Sequence, residues 1–375
     1  AGDRYLWEGG FQFGDWVDPD APPDQPAKAK SDPDLVASGY LFRSAATLSR
    51  HALVLGRTED AAHYAEVAEK VRAAWLTEYV TPAGRIVSDA QTSYAVAIAF
   101  DIATGELRTT MGKRLAWLVR RDGYRIGTGF VGTPIIADAL SSTGHMRQAG
   151  RMLQQTECPS WLYPITMGAT TIWERWDSML EDGSINPGEM TSFNHYALGA
   201  IADWMHRVVA GLAPAEPGYR SLEIAPQFLA GLDWASTRHE TPYGLASVAW
   251  RRTGTQIVVE ASVPANSSAV VRLPGQEPFT ATAGTHEWTV TEAPAAAPGP
   301  ITTSSPLAEI MDDPAAYDAI MGAFRSVSPE LASEFSKRTN WLPSEPLIGG
   351  FTLITPAIAA EIETRLASLN ASRGV

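Results

Sequence analysis

A single cysteine, Cys158, in 375 residues leaves no partner for an internal disulfide and no thiolate set for a metal. Its apolar surroundings read as a plain core thiol. Cations are in deficit, with 29 Lys and Arg against 42 Asp and Glu and a formal charge of −13, which argues against attraction to nucleic acid phosphates and suits a neutral ligand such as a glycan. No apolar run reaches the roughly 20 residues of a membrane-crossing helix, so no membrane partner is expected. The histidines at 51, 63, 145, 195, 206, 239 and 286 form no His-x-x-x-His or His-Glu-x-x-His pair, so a zinc hydrolase is not expected. A Gly-x-x-x-x-Gly-Lys-Ser/Thr phosphate loop and a Gly-x-Ser-x-Gly elbow are also missing. Gly127-Thr128-Gly129 lacks the third glycine and the βαβ setting of a dinucleotide site. No metal and no cofactor is called for.

What is present divides the chain. A length of 375 residues exceeds the roughly 250 to 300 at which single cores stop growing, so two or three units are expected. From residue 1 to about 210 the strong period is helical. Asp32-Pro33 supplies an N-cap and a first-turn proline for a helix that runs to Leu55 and closes at Gly56. A second helix starts at Thr58, with a stripe of Tyr64, Val67, Val71, Ala74 and Trp75. Further helices are expected at about 89 to 103, 106 to 121, 132 to 142, 145 to 156 and 193 to 210, about seven in all, joined by short loops as in bundles and helical toroids.

From 211 to 290 the period becomes two. Leu222 and Ile224, Leu232 and Trp234, Val248 and Trp250, Ile257 to Val263, and Ala269 to Leu273 alternate between turns, which predicts a small antiparallel β-sandwich. Residues 291 to 301 read as an Ala/Pro/Gly linker, and 302 to 375 as a helical appendage with helices at Pro306 to Asp313, Pro314 to Phe324 and Pro356 to Leu369. The opening, Ala1-Gly2-Asp3-Arg4-Tyr5-Leu6-Trp7-Glu8, has no initiator Met and none of the pattern of a secretory leader. It reads like the middle of something longer. Compartment and oligomeric state stay open.

Chemistry concentrates in two aromatic-rich irregular segments, 1 to 30 and 157 to 192, loops long enough to suggest function. In Thr170-Thr171-Ile172-Trp173-Glu174-Arg175-Trp176-Asp177 a glutamate sits between tryptophans, and His195 follows twenty-one residues after it. Indole faces suit the apolar side of a pyranose, and a carboxylate with an imidazole suits its hydroxyls and an attacking water. The same spacing also fits a core patch with Glu174 and Arg175 as solvated neighbours. His195 could equally be a satisfied core histidine, and Asp15 a turn or cap carboxylate.

Six strings now bear on the choice: Phe13-Gly14-Asp15-Trp16, Gln91-Thr92-Ser93-Tyr94-Ala95, Thr128-Gly129-Phe130-Val131-Gly132-Thr133-Pro134, Trp161-Leu162-Tyr163, Thr170-Thr171-Ile172-Trp173-Glu174 and Phe193-Asn194-His195-Tyr196. In this order they resemble bacterial α-L-rhamnosidases of glycoside hydrolase family 78, over about residues 5 to 290. The resemblance implies a mainly α chain with a β domain: a partial (α/α)6 barrel, 1 to 210, followed by the β-sandwich. It also implies inverting hydrolysis of terminal α-L-rhamnose, in which one carboxylic acid protonates the leaving oxygen and a second carboxylate activates water. Glu174 then matches the general base and His195 a rhamnose-binding histidine; Asp15 lies in the family's Gly-Asp motif near the sugar. Trp16, Trp173 and Phe13 would wall the pocket, although many relatives carry Trp at the place of Phe13.

The family's general acid sits in an Asp-Glu-Arg segment, upstream of the region of likeness, and this chain contains no such segment. Glu8, in a Trp-Glu-Gly-Gly setting, does not match it. A closed barrel of twelve helices is also not reached by about seven. The expectation is therefore a C-terminal portion of a rhamnosidase with little activity alone. The alternatives are a catalytically incomplete glycan-binding module and an (α/α)6 hydrolase of another sugar.

Overall fold

In the computed structural model, residues 2–293, 299–338, 346–347 and 353–375 are described. They form two compact units, Ala1–His195 with Ala296–Val375, and Tyr196–Ala295. Residues 294–298, inside the expected linker, lie outside the described residues.

In the first unit α1 (Pro33–Val54) and α2 (Thr58–Tyr79) form an antiparallel hairpin. Asp32 starts α1 by accepting the amides of Asp34 at 2.8 Å and Leu35 at 3.1 Å, which satisfies N–H groups that the first turn leaves orphaned. Gly56, at φ +69°, takes the left-handed turn that ends it. The faces that meet bury Leu35, Phe42, Ala45 and Ala52 of α1 and Ala68, Val71 and Trp75 of α2. Trp75 Nε1 donates to the Leu35 carbonyl at 3.0 Å, locking the far end of α2 to the start of α1. Outward, α1 leaves Tyr40, Leu48, Leu53 and Val54 exposed.

Next come α3 (Gln91–Ala99), α4 (Gly105–Arg121), α5 (Thr133–Ser141), α6 (Met146–Leu153) and the short α7 (Leu162–Thr166). α3 is buried from Gln91 to Ile98. Its three polar side chains at the N-terminal end are consumed by loops: Gln91 by Gly127, Thr92 by Asp15, and Ser93 by Ser31. A wholly buried helix tolerates such groups only when they are bonded, and these bonds make α3 the post to which two loops are tied.

The C-terminal helices belong to the same unit: α9 (Leu307–Asp312), α10 (Pro314–Val327), α11 (Pro329–Arg338) and α12 (Pro356–Arg373). Leu307, Ile310, Ile320, Phe324, Phe335, Ile358, Ile362 and Leu366 pack into one core. Asp313 caps α10 through the Ala316 amide and pairs with Arg373 Nη1 and Nη2 at 2.6 and 2.7 Å. Helix α11 was not anticipated, because Pro329-Glu330-Leu331-Ala332-Ser333-Glu334-Phe335 offers only a sparse apolar stripe.

The second unit opens with a run of mixed helical turns, Ala197–Ala200, α8 (Ile201–Trp204) and Met205–Val209. Two four-stranded sheets follow. One orders β1 (Leu212–Pro214), β2 (Ser221–Ile224), β6 (Ser268–Val271) and β7 (Phe279–Ala281). The other orders β3 (Trp234–Thr241), β4 (Gly244–Thr253), β5 (Gln256–Val263) and β8 (Gly284–Thr291). The predicted alternation holds at Leu222, Ile224, Val248, Trp250, Ile257, Val259, Ala261, Val263, Ala269 and Val271, all buried. Trp234 departs from it and is 59% exposed on edge strand β3. One pair, β2 with β6, is parallel rather than antiparallel, because the chain leaves β2 to build β3 to β5 of the other sheet before returning. Strands β1, β7 and β8 escaped the sequence reading. In β8 the more buried positions are His286, Trp288 and Val290, so only two apolar residues carry the period-two signal.

Among the described residues no helix is long and apolar enough to cross a membrane.

Candidate active site

Glu174 and His195 are brought together by pairing between two short irregular segments. The Glu174 amide donates to the Ser192 carbonyl at 2.9 Å, and the His195 amide to the Ile172 carbonyl at 2.8 Å. Thr171 adds a hydroxyl bond to the Phe193 carbonyl. This register sets the two side chains face to face, with His195 Nε2 3.8 Å from Glu174 Oε1. The other oxygen, Oε2, accepts the Ser192 amide at 3.2 Å. Ser192 therefore fixes both the main chain and the carboxylate of Glu174. The Glu174 side chain keeps 13% exposure and that of His195 26%, which places the pair at a surface rather than in the core.

The neighbours of Glu174 are not solvated. Trp173 is 3% exposed, edge-on to Phe193 at 5.1 Å and to Tyr163 at 6.5 Å. Trp176, equally buried, lies edge-on to Trp161 at 5.8 Å and donates Nε1 to the Thr128 carbonyl at 3.2 Å. Arg175, also 3% exposed, is not the solvated neighbour of the core-patch reading but pairs with Asp177 at 3.1 Å. Packing of this kind immobilises the backbone on both sides of Glu174, so the core-patch reading describes the tryptophans while the carboxylate stands at their edge.

Asp15 lies beneath the surface. Its side chain is fully buried and accepts the Thr92 hydroxyl and the amides of Gly129 at 2.8 Å, Val131 at 3.0 Å and Gly132 at 3.0 Å. The Phe130 amide between them donates to the Trp16 carbonyl at 2.8 Å. The turn 129–132 thus hangs on the 15–16 backbone and carboxylate. Only glycine fits at two of its positions: a Cβ at 129 would stand 2.3 Å from the Trp16 oxygen, and one at 132 would stand 2.2 Å from Thr92 Oγ1. The turn delivers the Phe130 ring onto the His195 imidazole, stacked with centroids 5.1 Å apart and planes 20° from parallel.

Phe13, Trp16 and Asp15 therefore share one strap, which reaches the Glu174–His195 pair through Phe130. Phe13 is 65% exposed and touches Trp16 at 5.4 Å and Phe11 at 5.0 Å, both edge to face. The sequence reading did not single out Phe130. Its signal was an aromatic enclosed by Gly129 and Gly132, where close backbone approach removes side-chain space.

Two acids under the strap have raised pKa values. Burial lifts the Asp15 carboxyl above its ordinary range, against the pull of its four donors. Asp18, 1% exposed, is pushed up to about 6 by burial, with Lys30 opposing. A carboxyl raised in the fold binds its proton more tightly there than in the unfolded chain, so its stabilising contribution is full below pH 4 and is lost as pH rises through about 6. A shift near two units corresponds to about 3 kcal/mol. Urea unfolding between pH 4 and 7 should show the native chain losing stability relative to Asp18→Asn by about that amount; parallel curves would contradict the assignment. Burial also raises the Cys158 thiol to about 12, which leaves it a poor nucleophile. Among the described residues no group of three or more His, Cys, Asp or Glu side chains is placed to hold a metal ion.

Residues 1–209 match the family model of the bacterial α-L-rhamnosidase 6 hairpin glycosidase domain, and residues 211–286 that of the bacterial α-L-rhamnosidase C-terminal domain. An α-L-rhamnosidase of Streptomyces avermitilis is 36% identical over 266 residues, covering 71% of this chain and 25% of its own. One from Formosa agariphila is 34% identical over 264 residues, covering 70% and 28%. Among solved structures, the native α-L-rhamnosidase of Aspergillus terreus aligns with a TM-score of 0.75 and 41% identity, over 77% of this chain and 34% of that one. The Streptomyces avermitilis enzyme complexed with L-rhamnose aligns at 0.70 and 33%, over 77% and 29%. The chain spans about a quarter of the length of the curated relatives it matches.

Proposed function

The chain belongs to the bacterial α-L-rhamnosidases, and from that membership we propose that it carries the base side of a site that hydrolyses terminal α-L-rhamnosides with inversion. The observation that carries this reading is the opposition of Glu174 and His195 across 3.8 Å. That gap is too long for a direct hydrogen bond, yet an oxygen can sit about 2.8 Å from both groups at once. A water or a sugar hydroxyl is the oxygen we propose for that place.

In the proposed reaction Glu174 takes a proton from water as the water oxygen attacks the anomeric carbon. The bond to the leaving oxygen breaks on the opposite face, where a second carboxylic acid supplies a proton, and the sugar leaves with inverted configuration. We assign that acid to no residue of this chain, because the Asp-Glu-Arg segment that the resemblance leads one to expect is missing from it and Glu8 stands in a Trp-Glu-Gly-Gly setting instead. The acid then comes from polypeptide outside the chain. The exposed apolar side chains of α1 are consistent with further helices covering them, and the chain alone is proposed to turn over little substrate.

His195 is proposed to bond a rhamnose hydroxyl, with Phe130 holding its ring plane. Trp16 and Phe13 supply aromatic wall, and Trp173 backs the carboxylate from within. Asp15, being fully buried, enters as the residue that shapes the turn under the sugar. The binding of L-rhamnose by the Streptomyces avermitilis relative supports the choice of sugar. Calorimetric titration of L-rhamnose into an enzyme containing this chain should show about tenfold weaker binding in His195→Ala, the value of one hydrogen bond. Unchanged affinity, or equal affinity for L-fucose and D-mannose, would contradict the reading.

A further inference from the structure

The C-terminal helices lie beyond both matched regions, which end at residue 286, yet their polar contacts converge on the loops that carry the site. At the end of α9 the Asp312 carboxylate accepts Arg120 Nε at 2.9 Å and Nη2 at 2.6 Å, and also the Tyr124 hydroxyl. The last carbonyls of α9 are taken as well: Asp312 by Arg147 at 2.9 Å and Arg151 at 2.8 Å, and Met311 by Arg151 at 3.0 Å. On α10 the buried Tyr317 hydroxyl accepts Arg125 Nη2 at 3.1 Å and donates to Glu157 Oε2 at 3.2 Å, over an ion pair between Arg125 and Glu157.

The arginines at 120, 147 and 151 belong to α4 and α6, while the contacts at Tyr124, Arg125 and Glu157 fall at the roots of two loops. Tyr124 and Arg125 begin the segment that ends in the Phe130 turn; Glu157 begins the segment that leads to Trp161, Trp176 and Glu174. Little slack lies between root and site. The Ile126 amide donates to the Pro159 carbonyl at 3.0 Å, joining the two loops, and Gly127 donates to Gln91 Oε1 at 2.9 Å. Beyond Thr128, whose carbonyl takes the Trp176 indole, the amides of Gly129 to Gly132 are all fixed by Asp15 and Trp16. Phe130 thus has two supports, the Asp15–Trp16 strap and, five residues back along bonded backbone, Arg125.

We infer that Asp312 and Tyr317 are positioning residues, through which the C-terminal helices hold the Phe130 ring against His195 and so align the site. The catalytic consequence rests on the rhamnosidase reading of Glu174 and His195; the geometric claim does not. Tyr317 and Asp312 touch neither of those residues. Their effect runs through Arg125, Tyr124 and the backbone they anchor.

The test is the ring-current shift that the stacked Phe130 imposes on the His195 Cε1–H signal, read by NMR of histidine-labelled chain in the native protein, Tyr317→Phe, Asp312→Asn and Phe130→Leu. Phe130→Leu sets the full change. Tyr317→Phe and Asp312→Asn should move the signal the same way by a clear fraction of it, at temperatures well below their unfolding. An unmoved signal in folded variants overturns the inference. Tyr317→Phe, which keeps the ring and removes one oxygen, carries the test should Asp312→Asn fail to fold. In an active enzyme containing the chain, the same variants should lower kcat about tenfold with KM little changed, as expected for misplaced catalytic geometry. A moved signal with unaltered turnover would uphold the positioning role and remove the rhamnosidase site from Glu174 and His195.

Discussion

Replacing Glu174 with Gln should lower kcat for an aryl α-L-rhamnoside by about a thousandfold, within the range for loss of a general base, while KM changes little. The substitution keeps the length and planarity of the side chain, and its amide oxygen can still accept the Ser192 amide that holds Oε2 at 3.2 Å. What it removes is the ability to take a proton. That ability matters as the water loses its proton in the transition state and hardly at all while the substrate merely sits bound, so the loss falls on kcat. The packed Trp173 and Trp176 are untouched, and the fold should persist. Steady-state kinetics with an enzyme containing the chain and its acid partner measures both constants. Near-normal kcat would remove Glu174 from the base role.

The second large effect is on stability. Asp15→Ala strips the acceptor from four donors at once, the Thr92 hydroxyl and the amides of Gly129, Val131 and Gly132. Each buried donor left without a partner costs about 1 to 3 kcal/mol. The losses are not additive, and relief of burying the carboxyl offsets part of them, so a net loss of about 4 kcal/mol is expected. For a unit of this size that corresponds to a fall in Tm of about 7 °C. Asp15→Asn should rescue only partly, since an amide presents one acceptor oxygen in place of two and adds two donors. Differential scanning calorimetry reads both variants. A Tm within about 2 °C of the native value for Asp15→Ala would show that the turn does not depend on this carboxylate. Rhamnose affinity should fall with it, because the same turn carries Phe130 to His195.

Asp15 shows what the sequence could and could not disclose. Its place in a Gly-Asp-Trp string marked it as important, but the string is equally consistent with a side chain facing a sugar and with one facing inward. The inward choice follows from donors on residues 92 and 129 to 132, distant in sequence and close only after folding. Glu174 and His195 were legible as a pair because each sits in a distinctive aromatic string. The Ser192 amide that orients the carboxylate left no mark, since any non-proline residue has one. Helix α1 was legible end to end from Asp32-Pro33 and Gly56, where caps are written in residue types. The polar edge strand β8 was not, nor was the bond from Tyr124 to Asp312 across 188 positions.

These contacts give the site a layered construction. Buried carboxyls shape the strap, the strap places Phe130, Phe130 orients His195, and His195 faces a carboxylate already fixed by Ser192. Such preorganisation by packed and hydrogen-bonded support is what the base role proposed for Glu174 would require, since little reorganisation is left for the reaction itself.

The central claim is that Glu174 stands on the face of the sugar from which water attacks. Chemical rescue tests it most directly: Glu174→Ala, in an enzyme containing the chain and its acid partner, is supplied with azide and an activated aryl α-L-rhamnoside, and the configuration of the rhamnosyl azide is read by NMR. The account predicts that azide restores turnover and yields the β-azide. An α-azide, or no acceleration by azide, would contradict it.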